Sequence, residues 1–128
     1  MNRSEIRKTL DLSFDDALAR VPDALATEGF GILTRIDVRE TLKKKIDVDF
    51  RPYTILGACN PPLAHQALSA ELEVGLMLPC NVIVYAEGER RTTVVAIDPM
   101  ATIAASHPAL QPIAQAVHDK LARALSRL

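Results

Sequence analysis

Apolar positions along the chain change their spacing several times, and each change marks an element. From Arg3 to Leu12 the pattern alternates loosely, with Ile6, Lys8, Leu10 and Leu12 on one side, which predicts a first strand. Phe14, Leu18, Val21 and Leu25 then recur at helical spacing. Ser13 lies three residues before Asp16 as an N-cap, and Gly29 supplies a C-cap, so a helix is predicted over about residues 14–28. Pro22 lies inside it, removes one backbone hydrogen bond, and predicts a kink near Leu18–Val21.

Phe30 to Val38 reads as a second strand, Arg39 to Ile46 as a short basic helical segment, and Tyr53 to Cys59 as a third strand. Asn60-Pro61-Pro62 opens a helix through about Leu72, because Asn caps well and Pro suits the first turn. Leu76 to Tyr85 and Arg91 to Asp98 predict strands four and five, joined by the loop Ala86-Glu87-Gly88-Glu89. Pro99 to Ser106 predicts a helical turn. His107-Pro108 starts a last helix with Leu110, Ile113, Val117, Leu121 and Leu125 on one stripe.

Hairpin-type connections dominate this order. They predict an α+β domain of two layers, a mainly antiparallel five-stranded sheet with helices on one face, in one domain over residues 1–128. In strand four, Val82 and Val84 oppose Ile83 and Tyr85; in strand five, Thr93, Val95 and Ile97 oppose Val94 and Ala96. Both faces are therefore apolar, and helices cover only one. A second copy of the chain is the simplest cover for the other, which predicts a homodimer through the sheet. Two alternatives are β-propensity alone and a sheet face that lines a ligand pocket.

Composition narrows the class. The chain has 128 residues, 48% hydrophobic and 24% charged, with a net charge of −1, as in an ordinary globular domain. No basic block argues for nucleic acid or an anionic membrane as partner. The N-terminal residues MNRSEIRKTLDLS hold no signal-peptide core, and no apolar run approaches a membrane span. Two cysteines without an export signal read as free thiols, so the cytoplasm is the expected location.

The distinctive chemistry is a pair of dipeptides, Cys59-Asn60 and Cys80-Asn81. Cys59 ends a strand before a capped helix, where backbone N–H groups favour a thiolate. If strands three and four are antiparallel neighbours, Cys80 comes near it, with His65 a turn and a half into the helix. Three readings follow: a nucleophile Cys59 with His65 as base, a redox pair of Cys59 and Cys80, or a soft-metal site of Cys59, Cys80 and His65, with zinc as the example. The competing reading makes the cysteines small buried hydrophobes at strand ends. Asn60 is most simply a helix cap, whereas Asn81 in an apolar strand needs a partner, which the Gly57–Asn60 loop could supply. Arg39, Lys43, Lys44, Lys45 and Arg51 form a basic patch that could hold an anion, diluted by Asp37, Glu40, Asp47 and Asp49 into a solvated face. His107 and His118 take surface positions by default. Glu71, Glu73 and Asp98 form no spaced carboxylate pair.

The runs LKKKIDVDFRPYTILGACNPPLAHQAL, VGLMLPCNVIVY and AIDPM resemble the bacterial and archaeal family DUF302, over about residues 13–127. Its pattern is carried here by Lys43, Lys45, Phe50, Arg51, Pro52, Tyr53, Gly57, Cys59, Asn60, Pro61, His65, Pro79, Cys80, Asn81 and Asp98. The resemblance implies a fold of the TATA-binding-protein-like type, in the order β-α-β(4)-α, and is compatible with a homodimer. It implies neither DNA binding nor any catalytic assignment. The leading expectation is a small-ligand or metal binding or sensing domain, with Cys59, Asn60, His65, Cys80, Asn81 and Arg51 at its site. A thiol-dependent enzyme using Cys59 and a purely structural dimer are the alternatives.

Overall fold

The segments of period two become the strands of one antiparallel sheet. In the computed structural model, which describes residues 6–128, these are β1 (Arg7–Leu10), β2 (Gly31–Asp37), β3 (Tyr53–Cys59), β4 (Cys80–Gly88) and β5 (Arg91–Ala96), lying in the order β1-β5-β4-β3-β2. Residues 3–5 of the expected first strand lie outside the described part. Five α-helices complete it among the described residues: α1 (Phe14–Ala26), α2 (Val38–Ile46), α3 (Pro61–Ala70), α4 (Pro99–Ser106) and α5 (Gln111–Ser126). The chain thus has the two-layer α+β architecture that its hydrophobic pattern predicts.

One face of the sheet carries the core. Leu56, Ala58, Val82, Val84, Val94 and Ala96 are at most 1% exposed and meet Val21 and Leu25 of α1 and Leu121 and Leu125 of α5. Each buried Val or Leu contributes roughly 1.5–3 kcal/mol relative to exposure, which ties both helices to the sheet. A second cluster of Ala67, Val74, Ile103, Leu110 and Ala114 joins α3, α4 and α5 beyond it.

Local chemistry sets the boundaries. Ser13 Oγ accepts from the Asp16 N–H at 3.2 Å, and α1 runs on through Pro22 to Ala26. Gly29, at φ 85°, then turns the chain so that the Phe30 N–H reaches the Leu25 carbonyl at 3.1 Å. Four expected boundaries move. β4 begins at Cys80 rather than Leu76, because residues Leu72–Met77 wind into a 3₁₀ helix and Pro79 has no N–H for the ladder. The following hairpin is tighter than expected: Gly88 pairs with Arg91, leaving Glu89-Arg90 as the turn. Pro99–Ser106 forms a full helix, started by Asp98 Oδ1 accepting from the Met100 N–H at 2.9 Å. α5 starts at Gln111, after a 3₁₀ turn at Pro108–Leu110.

Two contacts fix the packing, one within the sheet and one between helices. Gly57 stands opposite Asn81 on one side and Thr34 on the other. A Cβ there would overlap Thr34 Oγ1 and lie 2.7 Å from Pro79 Cγ. Glu28, at the end of α1, binds Arg127 Nη1 at 2.5 Å and Arg123 Nε at 3.2 Å, joining α1 to the end of α5. The Arg127 hydrogen bond leads in holding the Glu28 carboxyl below its usual value of 4.5, with Arg123 adding to it.

Gly57→Ala should destabilise the fold by about 1–3 kcal/mol in urea unfolding, with part of the loss recovered in Gly57→Ala/Thr34→Ala; an unchanged midpoint would contradict the packing described. Glu28 is held ionised in the folded state, so its contribution is present above the ordinary carboxylate pKa and disappears as pH falls through the lowered one. Glu28→Gln should therefore flatten the loss of stability on acidification below about pH 4.5, read from melting temperatures of both proteins; parallel curves would count against the linkage.

Candidate functional site

Where β3 ends and β4 begins, the helical layer does not close fully on the sheet. A cavity of about 250 Å³ remains, walled by Leu63 and Ala67 of α3, Ile113 and Val117 of α5, and Cys59 and Cys80 at the strand ends. Ala58, Ala64 and Ala67 all line it, and their short side chains leave the space open. Its volume exceeds the roughly 150 Å³ that suffices for benzene in an apolar core. Among the described residues that line it, none is an acid, a base or a histidine.

Both cysteines border this space and both are free thiols. Cys80 is 5% exposed and stands opposite Ala58 in the ladder, so Cys59, one residue on, has the opposite pleat parity. Burial, and secondarily the neighbouring Cys59, push the Cys80 thiol up to about 11. Cys80 is thus a neutral thiol near pH 7, a small apolar wall atom with a weak donor rather than a nucleophile. Cys59 is half-buried.

Asn60 has two structural bonds. Its Oδ1 accepts from the Leu63 N–H at 3.4 Å, capping α3, and its Nδ2 donates to the Glu28 carbonyl at 3.1 Å. One amide therefore ties the α1–β2 turn to the first turn of α3. Gly29 is required beside it: a Cβ there would lie 3.0 Å from Asn60 Nδ2, on a backbone with positive φ.

The other expected site residues disperse. His65 is exposed on α3, whose Leu63, Ala64, Ala67 and Leu68 turn to the cavity instead. It therefore does not join the two thiols at the cavity wall. Among the described residues, no three His, Cys, Asp or Glu side chains gather as a metal-holding group. Arg51 is exposed at the far end of β3, where its Nη1 donates to the Ala86 carbonyl at 3.2 Å. Six residue steps at about 3.3 Å put that end about 20 Å from Cys59. Asn81 is exposed, so water meets its hydrogen-bonding needs and the cost expected for a buried amide does not arise. Two lysines of the basic patch are paired with acids: Lys43 meets Asp47 at 2.9 Å and Asp49 at 3.3 Å, and Lys44 meets Glu40 at 2.7 Å.

Two polar pairs were not legible in the spacing. His118 Nδ1 lies 3.0 Å from Asp98 Oδ1, the oxygen that caps α4. His107 Nε2 lies 3.3 Å from Glu71 Oε2. Both histidines brace helix junctions instead of standing free on the surface. The Asp-Pro that opens α4 was a sequence signal for the cap, but the histidine twenty residues on had none.

Asn60→Ala should cost about 1–2 kcal/mol in chemical unfolding through the lost cap, with more from the orphaned Glu28 carbonyl. Asn60→Asp keeps the acceptor, loses the donor, and should fall between the two; a neutral Asn60→Ala would remove the structural role assigned to this amide.

Comparison with known proteins agrees with this geometry. No curated protein matches the chain. A crystal structure of an uncharacterized conserved protein DUF302 from Bacillus stearothermophilus superimposes with a TM-score of 0.82 at 32% identity, over 97% of this chain and 98% of that one. Residues 6–128 match the family model described as domain of unknown function DUF302. With that match spanning both Cys-Asn dipeptides, the cavity between them and nearly the whole sheet, the chain belongs to the DUF302 family.

Proposed function

We propose that this domain binds a small, neutral, apolar molecule in the cavity between α3, α5 and the ends of β3 and β4. The observation that carries this reading is the composition of the wall: about 250 Å³ of space bounded by apolar side chains, two cysteines and one amide. Such a wall rewards transfer of apolar surface from water and offers nothing to a charged ligand. The volume lies just under the roughly 300–1,000 Å³ of pockets for drug-sized ligands, which sets the ligand as compact. Asn60 is committed to its two backbone contacts, so the Cys80 thiol is the polar group left on the core side to orient a guest.

The thiol-enzyme alternative has less support. A nucleophile needs a base within reach, and His65 stands on the exposed side of α3. Two free thiols suit a reducing cytoplasm, which is the setting proposed for this domain. Among the described residues, no helix is long and apolar enough to cross a membrane.

Titration with benzene and indole, followed by two-dimensional amide NMR, tests the proposal. Saturable shifts should centre on Leu63, Ala67, Cys80 and Val117. Benzene should bind in the millimolar range, and each added methylene should tighten binding about fourfold, the equivalent of about 0.8 kcal/mol. Ala64→Leu, which fills the space from a helix position that tolerates Leu, should abolish the shifts without unfolding the domain. Equal binding by Ala64→Leu, or linear shifts spread over the surface, would overturn the assignment.

A further inference from the structure

Among the described residues, no helix packs over the centre of the sheet face away from the core, yet that face is not built for water. Its residues form two cross-strand rows fixed by the ladder. One runs Ile36, Ile55, Ile83, Val95 and the other Tyr53, Tyr85, Thr93, Thr9. The Tyr53 and Tyr85 rings stack with centroids 5.6 Å apart, and Phe50 extends that row at 6.2 Å from Tyr53. Ile36 is 46% exposed and Phe50 40% exposed, so the apolar surface reaches the edge of the sheet. Isoleucine and tyrosine at successive outward positions give an apolar strip across β2, β3 and β4. It is bordered by the Thr34–Gly57–Asn81 row on one side and ends at Arg7 and at Thr93, whose hydroxyl donates to Glu87 Oε2 at 2.6 Å.

A second feature lies beside this strip. The nine residues of α2 include none that is buried; its last residue, Ile46, and Val48 beyond it are 63% and 41% exposed. Helices below about 12–15 residues are marginal without tertiary packing, and α2 is only half covered by β2 and β3, through Val38 and Leu42, which leaves its other side free for a partner.

We infer that the outer sheet face is an interface with a second copy of this chain, packed face to face about a twofold axis, with Ile55, Ile83 and the Tyr53–Tyr85 stack at its centre. The dimensions fit once α2 is included. A face five strands wide at about 4.8 Å spacing and six residues long at about 3.3 Å per residue covers roughly 500 Å² in projection. That is below the ~800 Å² per partner of a standard interface, so the exposed side of α2 with Ile46 and Val48 beside the face belongs to the same contact. The arrangement of groups fits as well. Aromatic and branched aliphatic side chains hold the middle, while Arg7, Glu87 and Arg91 lie to one side, the apolar centre and charged rim of a stable contact. A twofold axis makes one patch serve both partners, so a self-complementary apolar centre is sufficient. This interface lies on the opposite side of the sheet from the α-helical core and is independent of the ligand proposed for the cavity.

Sedimentation velocity of the full chain, at 1–100 µM as a rough working range around common dimer affinities, tests the inference. The expected result is a species of twice 14.0 kDa for the wild type. Ile83→Glu should convert it to monomer, with circular dichroism unchanged. Ile36→Lys, at a position already half open to water, should weaken association at least tenfold and guards against misfolding of the first variant. A wild-type mass of 14.0 kDa across the range would overturn the inference and leave the face to a different partner. A dimer that survives both substitutions would also overturn it, since association would then use another surface.

Discussion

The amide of Asn60 is the interaction on which the candidate site depends. It accepts from the first turn of α3 and donates to the carbonyl of Glu28, the residue whose carboxylate is held by Arg123 and Arg127 of α5. Through two neighbouring residues the ends of α1, α3 and α5 and the start of β2 are held together at one edge of the molecule. The cavity lies inside that edge. Without the clamp, α3 would lack a defined starting point over the sheet, and the space between Ala67 and Val117 would have no fixed width.

The same edge shows how an apolar void persists in a close-packed domain. Interiors reach crystal-like density when large and small side chains interdigitate. Here α3 presents Ala64 and Ala67 to the sheet, and β3 presents Ala58, so small groups meet small groups. The surrounding backbone cannot collapse to fill the space, because Gly57 is already wedged between Thr34 and Pro79 on one side and the Asn60 clamp holds the other. Burial then does two things to Cys80. It makes the thiol part of an apolar wall, and it raises its pKa to about 11, which keeps it uncharged.

Membership of the DUF302 family follows from the match over residues 6–128, and the motif residues that carry it separate into two groups in space. Gly57, Cys59, Asn60, Pro79 and Cys80 gather at the cavity edge. Phe50, Arg51 and Tyr53 lie at the opposite end of β3, beside the outer sheet face. Lys43 and Lys45 on α2, His65 on α3 and Asp98 at the start of α4 join neither group. A pattern that is continuous along the chain thus serves two places about 20 Å apart, which is the length of one strand.

Much of the fold was legible in the sequence because it rests on local rules. Period two placed β3 at Tyr53–Cys59, Ser13 and Asn60 announced helix starts, and the stripe from Leu110 to Leu125 marked the apolar face of the last helix. What only tertiary structure decided were matters of direction and distance. One hundred degrees of turn per residue set His65 outward while Ala64 faces the cavity, and spacing from Cys59 carries no information on that choice. Pleat parity set Cys59 and Cys80 on opposite sides of the ladder although their dipeptides look alike. The pairing of His118 with Asp98, and the void itself, arise from packing between elements far apart in sequence. Local backbone preferences act over a few residues and can be read along the chain; a cavity is defined by surfaces that meet only after folding.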